Sequence, residues 1–172
     1  PEVYEAFQLM DELDIEPKVI SGDNPESVAS LLRQLKIQPK GGLISGQSLA
    51  SLEKDDFQKA IRERTIFGRI SPEQKLEIIE ELKRQGRFVA MVGDGANDVH
   101  ALRGADVAVA MEEGSAIARG VAGIILRKNS FTALIQGAQE ATNVLGNAAR
   151  LSKMFITKSF YAYLLIFSTN LL

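Results

Sequence analysis

The chain has 172 residues, and its 45% hydrophobic content is sufficient for one packed domain. Its 20 basic and 22 acidic residues give a formal charge of −2, which argues against nucleic acid as a partner. The absence of cysteine and the single histidine exclude disulfides, thiolate metal sites and polyhistidine zinc sites. The chain opens without a signal-peptide pattern, and the missing initiator methionine predicts that it belongs to a longer protein.

The first third of the chain predicts two helices around a short strand. Apolar residues at helical spacing indicate a helix over residues 2–14, and Val19-Ile20 indicates a strand. A second helix follows, for which either Asp23 or Asn24 can serve as the cap. The glycines and proline of residues 39–50 predict loop and turn there.

The middle of the chain predicts two further helices and two further strands. A helix at about 53–64 leads to the apolar pair Ile66-Phe67. The segment Ser71-Pro72-Glu73-Gln74 has the pattern of a capping box, and the helix that it begins is expected to end near Gln85. The continuous apolar run from Phe88 to Val92 predicts a strand buried on both faces.

The remaining elements complete an alternation of strands and helices. A short helix at 97–103 precedes two expected buried strands, Val107–Met111 and Gly123–Leu126. This alternation predicts an α/β fold with a parallel, doubly wound sheet. From Phe131 onward no proline interrupts the chain, so one long C-terminal helix is expected.

Two regions therefore follow, with a boundary near residue 130: a sheet domain over 1–130 and a helix over 131–172. No charged residue occurs from Ser159 to Leu172, and this apolar end is shorter than the roughly 20 residues that span a bilayer. Basic residues precede it, as on the cytoplasmic flank of membrane helices; they are Arg150, Lys153 and Lys158. We therefore expect a truncated membrane helix, with residues 1 to about 155 on the cytoplasmic side. A buried helix or a docking surface is the alternative.

Three polar segments each follow an apolar strand and precede a helix. They are Ser21-Gly22-Asp23, Phe67-Gly68-Arg69 with Lys75 shortly after, and Gly93-Asp94-Gly95-Ala96-Asn97-Asp98. In an open parallel sheet, ligands bind at the carboxyl ends of the strands. We therefore expect the three segments to meet in one place.

The residue types in these segments suit a magnesium-bound phosphate. Asp94 and Asp98 are hard oxygen ligands of the kind that magnesium takes, usually one or two at a time. Lys75 occupies the first turn of a helix, where the dipole disfavours a cation unless an anion faces it. Ser21 offers a hydroxyl, and the amides after it are expected to cradle an anion at a helix start. Together these groups predict a phosphoryl-transfer site that lacks a nucleophile.

At these residues the chain resembles the P-type cation-transporting ATPases. Ser21-Gly22-Asp23 is similar to their Thr-Gly-Asp segment, and residues 67–75 to their Phe-Ala-Arg-x-x-Pro-x-x-Lys segment. Residues 91–98 resemble their Met-Val-Gly-Asp-Gly-x-Asn-Asp signature, and residues 105–111 the stretch after it. The resemblance covers nearly the whole chain, in the family's order. It places the sequence in the later part of a phosphorylation domain that runs into a stalk helix.

The resemblance implies a Rossmann-like fold of the haloacid-dehalogenase type, with a parallel sheet and helices on both faces. It also implies Mg2+ and ATP as cofactors, and as partners the remainder of the pump, the lipid bilayer and the transported cation. The implied roles are magnesium binding by Asp94 with support or weak ligation from Asp98, phosphoryl contacts by Lys75, Ser21 and Asn97, and nucleotide binding by Gly22, Asp23 and Arg69.

The departures from the family pattern limit what this chain can do alone. The phosphorylated aspartate of the family's Asp-Lys-Thr-Gly-Thr segment is absent, so the isolated chain is expected to be inactive. Serine replaces threonine at Ser21, and glycine replaces alanine at Gly68. His100 stands where proline or leucine is common, and we assign it a structural role.

Two other functions fit part of the pattern. A soluble magnesium-dependent phosphatase of the haloacid-dehalogenase superfamily would use the same Gly-Asp-Gly-x-Asn-Asp segment. A non-catalytic regulatory module would keep the fold and lose the reaction. The missing nucleophile and the apolar C-terminal end argue against the phosphatase. The polar residues near that end are too few to identify a transported ion.

Overall fold

The computed structural model describes residues 2–127 and 130–169, with side chains described at 3–127, 130–140 and 150–160. The helices are α1 Glu2–Glu12, α2 Pro25–Gln34, α3 Gly46–Ala50, α4 Lys54–Glu63, α5 Pro72–Arg84, α6 Val99–Gly104, α7 Ala116–Val121 and α8 Phe131–Thr169, with a 3-10 turn at Ala96–Asp98. The strands are β1 Val19–Ile20, β2 Leu43–Ser45, β3 Ile66–Gly68, β4 Ala90–Gly93, β5 Val107–Met111 and β6 Ile124–Leu126. The chain divides into two compact units, residues 1–132 and 133–172.

The first unit contains two parallel three-stranded sheets flanked by helices. Their strand orders are β1-β3-β2 and β4-β5-β6, and every strand pair is parallel. The predicted parallel α/β class is confirmed. The strands do not, however, hydrogen-bond into one sheet within the described residues, because β1 and β4 do not pair with each other.

One apolar core joins the two sheets through α5. Ile78, on α5, is fully buried in the same cluster as Phe67 of the first sheet and Met91 of the second. The capping box predicted for α5 is present: the Gln74 amide donates to Ser71 Oγ at 3.3 Å, and the Ser71 amide donates to Gln74 Oε1 at 3.1 Å. A sequence-encoded helix start therefore fixes the element that holds both sheets.

Three expectations about individual elements are wrong. Residues 39–50 are predicted to be loop, which holds for residues 39–42, but residues 43–50 form β2 and α3, because β2 pairs with β3 and Ser45 caps α3. The strand β4 begins at Ala90 rather than at Phe88, and the Phe88 side chain is 80% exposed. The strand β6 is mostly exposed, since Ile124 and Ile125 lie on the surface and only Leu126 is buried. Apolar runs identify these strands but not which of their faces are covered.

The second unit consists of the main part of α8. Large apolar side chains of this helix lie exposed, among them Leu151, Phe155, Ile156 and Phe160. Among the residues that the structure describes, no helix combines the length and the apolarity needed to cross a membrane. The end of the expected membrane helix, residues 170–172, lies outside the described residues.

Candidate phosphoryl-transfer site

A cleft of about 440 Å³ lies where β1 and β4 end. Six of the sequence-predicted residues line it: Ser21, Gly22, Asp23, Lys75, Asp94 and Asp98. They come from the loop after β1, the first turn of α5 and the loop after β4. The three segments thus meet in one cleft, as their positions after parallel strands indicate.

Lys75 and Asp98 form an ion pair on the wall of this cleft. The Lys75 ammonium donates to Asp98 Oδ1 at 2.6 Å, and the two side chains are 13% and 9% exposed. The other carboxylate oxygen of Asp98 accepts the Gly95 amide at 3.1 Å. Because both oxygens of Asp98 are engaged, this residue orients Lys75 and the loop after β4. Hydrogen bonding, which is one of the two roles implied for Asp98, is thus present within the protein itself.

Asp94 presents a carboxylate to the same cleft. Asp94 is exposed, and its side chain has no hydrogen bond or ion pair with the described residues. Within that same part of the chain, no three His, Cys, Asp or Glu side chains cluster as a ready-made metal cage. A carboxylate that is not engaged by the protein suits magnesium, which usually takes one or two protein carboxylates and completes its octahedron with waters and phosphate oxygens. The donors present therefore fit that ion.

The loop after β1 is folded on itself. The Asp23 amide donates to Ser21 Oγ at 3.1 Å, and the Ser21 hydroxyl donates to the Asp23 carboxylate at 3.2 Å. The cap of α2 is Asn24, whose side chain accepts the Glu26 amide at 2.9 Å. The anion cradle expected from the amides of Gly22 and Asp23 is thus half occupied, because Ser21 already engages one of the two.

Arg69 and Asn97 do not line the cleft, and both are exposed. Arg69 has a φ of 52°, an uncommon conformation for a residue with a side chain. Its amide donates to the Asp23 carbonyl at 2.7 Å, so its backbone holds the loop after β1. Gly68 lies so close to α2 that a Cβ there would be 2.4 Å from the Pro25 nitrogen. The segment 67–70 therefore supports the site through its main chain.

Two apolar residues of the cleft, Met111 and Phe131, lie outside the three polar segments and outside the strands that lead into them. Met111 is the last residue of β5, so its place at the carboxyl end of a parallel strand was the signal available in the sequence. Phe131 is the first residue of α8, and no sequence pattern links it to the cleft.

One carboxyl beside the site has a perturbed pKa. The pKa of Glu73 is lowered by its own backbone amide, by the Ser71 hydroxyl at 2.8 Å and, more weakly, by the charge of His100. His100 is exposed and does not line the cleft.

Comparison with known proteins places the chain in a family. The model of the haloacid dehalogenase-like hydrolases matches residues 1–106, which is more than half of the chain. The chain belongs to this haloacid dehalogenase-like hydrolase family.

Similar proteins are cation transporters. The calcium-transporting ATPase CtpE of Mycobacterium bovis is 37% identical over 96% of this chain and 20% of its own length. The probable cation-transporting ATPase exp7 of Streptococcus pneumoniae is 36% identical over 94% of this chain and 20% of its own length. The resemblance to P-type cation-transporting ATPases is thereby confirmed, and the chain spans about a fifth of the length of these relatives.

A solved structure supports the same assignment. This structure shows the catalytic domain of the CPx-ATPase CopB-B, a domain described as changing its conformation when it binds a nucleotide. The match has a TM-score of 0.53 and 32% identity, and it covers 72% of this chain and 39% of that one. The likeness therefore extends to the fold as well as to the sequence.

Proposed function

We propose that this chain carries part of the phosphoryl-transfer centre of an ATP-driven cation pump, and that the aspartate which accepts the phosphoryl group lies outside it. The observation that carries the proposal is the meeting of Lys75, Asp94 and Ser21 in one cleft, although they come from three separate segments. An ammonium, a carboxylate and a hydroxyl around one space are the groups that phosphoryl transfer needs from a protein.

Lys75 and Asp94 have complementary roles. The Lys75 ammonium, oriented by Asp98 at 2.6 Å, compensates the negative charge of a phosphoryl group in the cleft. Asp94 supplies an anionic oxygen to Mg2+, and when bound this ion neutralises charge on phosphate oxygens. Asp98 is a positioning residue here, since both its oxygens are engaged by the protein.

The remaining site residues contact the nucleotide or the phosphoryl group. The Ser21 hydroxyl, which donates to Asp23, would donate to a phosphate oxygen instead when one is present. Asn97 would reach the phosphoryl group from the exposed turn after Gly95. Gly22 would let the loop approach the phosphates closely, and Asp23 and Arg69 would contact the ribose or phosphates of ATP.

Two strands have edges that are unpaired in the part of the chain that the structure describes, which supports the proposal that the phosphoryl-accepting aspartate comes from outside the chain. Within the described residues, β1 is paired only with β3, and β4 only with β5. Each of these two strands therefore keeps one edge that could pair with another strand. Residues of both strands also line the cleft. A segment that paired there would bring its own side chains to Lys75 and Asp94.

The remainder of the pump, the lipid bilayer and the transported cation are the partners in this proposal. Residues 131–172 would form the stalk and the start of a membrane helix, with residues 1 to about 155 on the cytoplasmic side. The basic residues Arg150, Lys153 and Lys158 precede the uncharged end of the chain and support this orientation.

The test is phosphoenzyme formation from radiolabelled ATP by the complete pump. Asp94→Asn should abolish the acid-stable phosphoenzyme, because the metal loses its anionic ligand while side-chain size is kept. Asp56→Asn, an exposed aspartate of α4 outside the cleft, is the matched control and should leave phosphorylation unchanged. Normal phosphorylation of the Asp94→Asn pump would refute the proposal.

A second assay separates the pump from the soluble phosphatase. The 172-residue chain alone is incubated with Mg2+ and small phosphorylated substrates. We expect no turnover, because the acceptor aspartate is missing. Robust phosphate release, abolished by Asp94→Asn, would instead establish the phosphatase.

A further inference from the structure

The turn after β5, residues 111–115, packs directly against the backbone of Asp94. The Ser115 amide donates to the Asp94 carbonyl at 2.6 Å. A Cβ on Gly114 would lie 2.7 Å from that carbonyl oxygen and 3.0 Å from the Asp94 Cα. Contacts below 3.0 Å essentially do not occur for real Cβ atoms, so the turn can sit this close only because residue 114 is glycine.

The turn is itself held in place from two directions. The Gly114 amide donates to the Met111 carbonyl at 3.0 Å and closes the turn. From α7, the Arg119 guanidinium donates to the Glu112 carbonyl at 3.0 Å and to the Gly114 carbonyl. The hydroxyl of Ser115 accepts the Ala118 amide at 3.1 Å, so the same residue that contacts Asp94 also caps α7.

The loop that carries Asp94 is therefore gripped on both sides. On one side Asp98 accepts the Gly95 amide, and on the other Ser115 donates to Asp94 itself. The Asp94 carboxylate, in contrast, has no partner within the described residues. A fixed backbone with an unengaged carboxylate is the arrangement expected of a preorganised metal ligand, whose supporting groups commonly affect metal affinity by about 10–100-fold.

We propose that Gly114 and the Ser115 amide are positioning residues for Asp94, and that they set its affinity for a divalent cation. The metal part of this inference rests on the proposed function, whereas the positioning part rests on the contacts alone. Nothing in the three polar segments identifies these residues, which lie beyond them in the chain.

The experiment is a MgCl2 titration of the 172-residue chain followed by the backbone amide signals of Asp94 and Gly95. Gly114→Ala introduces the colliding Cβ, and Gly120→Ala is its control, because a Cβ there meets nothing within 4 Å. We expect Gly114→Ala to shift both amide signals in the metal-free state and to raise the apparent Mg2+ dissociation constant about 10-fold. Gly120→Ala should do neither.

A second pair of variants separates the amide of residue 115 from its hydroxyl. Ser115→Pro removes the amide at a φ of −62° that proline tolerates, whereas Ser115→Ala removes only the hydroxyl that caps α7. We expect the proline variant to weaken Mg2+ binding like Gly114→Ala, and the alanine variant to bind as the wild type does. If Ser115→Pro fails to fold, the Gly114→Ala and Gly120→Ala pair decides the matter.

The outcomes distinguish the two proposals. If Gly114→Ala leaves both the metal-free signals and the Mg2+ titration unchanged, the positioning role is overturned. If MgCl2 does not move the Asp94 and Gly95 signals of the wild type, the metal assignment falls. In that case a metal-free shift caused by Gly114→Ala would still support the positioning role.

Discussion

The Lys75 ammonium lies 2.6 Å from Asp98 Oδ1, and this pair joins the first turn of α5 to the loop after β4. Both side chains are largely withdrawn from solvent, with exposed fractions of 13% and 9%. The pair therefore does two things at once: it aims a cation at the cleft and connects two elements of the core.

A mutant cycle on this pair tests its contribution to stability. Asp98→Ala leaves the Lys75 ammonium without its partner, and we expect it to lower the free energy of unfolding by about 3–5 kcal/mol. Lys75→Met should cost less, because Asp98 keeps the Gly95 amide. The double variant should cost less than the sum, since no isolated charge remains. Urea denaturation of the 172-residue chain measures all three.

The exposed pair Lys40–Asp11 is the control for this cycle, with exposed fractions of 84% and 67%. Asp11→Ala should leave the urea midpoint nearly unchanged, because solvent screens such a pair. Strict additivity of the Lys75 and Asp98 variants would contradict a direct interaction.

The left-handed backbone of Arg69 predicts an unusual order of stabilities. At its φ of 52°, alanine is strained and glycine is not, so Arg69→Gly should be more stable than Arg69→Ala by about 1 kcal/mol. Arg64, with a φ of −86°, is the matched arginine. There the order should reverse, because glycine loses more chain entropy on folding. Thermal or urea unfolding of the four variants checks this, and the same order at both sites would argue against the strained conformation.

The close approach of Gly68 to Pro25 predicts that alanine is not tolerated at residue 68. A Cβ there would meet three atoms of Pro25 at 2.4–2.6 Å, two of them backbone. Gly68→Ala should therefore destabilise the chain by about 1–3 kcal/mol. Gly22→Ala, where a Cβ meets nothing within 4 Å, should have a much smaller effect on the urea midpoint. Equal midpoints for the two variants would show that α2 can move away.

Asp106 predicts a pH dependence of stability. The Val89 amide at 2.9 Å and then Lys83 at 3.0 Å lower the pKa of the Asp106 carboxyl below its usual 3.8. A carboxyl whose pKa is lower in the folded than in the unfolded state stabilises the fold at any pH above its unfolded-state pKa. This stabilisation is lost as the pH falls through its folded-state pKa. Stability from Asp106 should therefore be present at pH 7 and decline below about pH 4.

The measurement compares urea midpoints at pH 7 and pH 3. Asp106→Asn should lose less stability over this interval than the wild type, because its side chain does not titrate. Asp55→Asn, at an exposed aspartate of α4, makes the same change in charge as a control. An identical loss in the wild type and in the Asp106 variant would show that the carboxylate does not contribute.

Much of the site followed from local sequence patterns. The capping box at Ser71–Gln74 fixes the residue at which α5 begins, and it can be recognised because its hydrogen bonds lie within one turn. It therefore also fixes the position of Lys75 in the first turn of that helix. The loop of Asp94 is also held locally, because Asp98 accepts the amide of Gly95, three residues before it. Since strands in a parallel sheet end on one side, the meeting of these segments could also be predicted.

Other features could not be read from the sequence, because they depend on partners distant along the chain. The strand β2 has too few residues to show a period and forms because β3 lies beside it. The exposure of Phe88 depends on which elements cover β4, and an apolar run carries no information about that.

The sequence alone determined the class of fold, the family resemblance and the residues that carry charge to the cleft. These depend on side-chain chemistry and on spacings within a few residues, which are written directly in the chain. Only the tertiary structure decided that Asp98 is engaged with Lys75 and that the turn at Gly114 grips Asp94. Such contacts are fixed to a few tenths of an ångström by packing between elements far apart in sequence, and no local pattern encodes that distance.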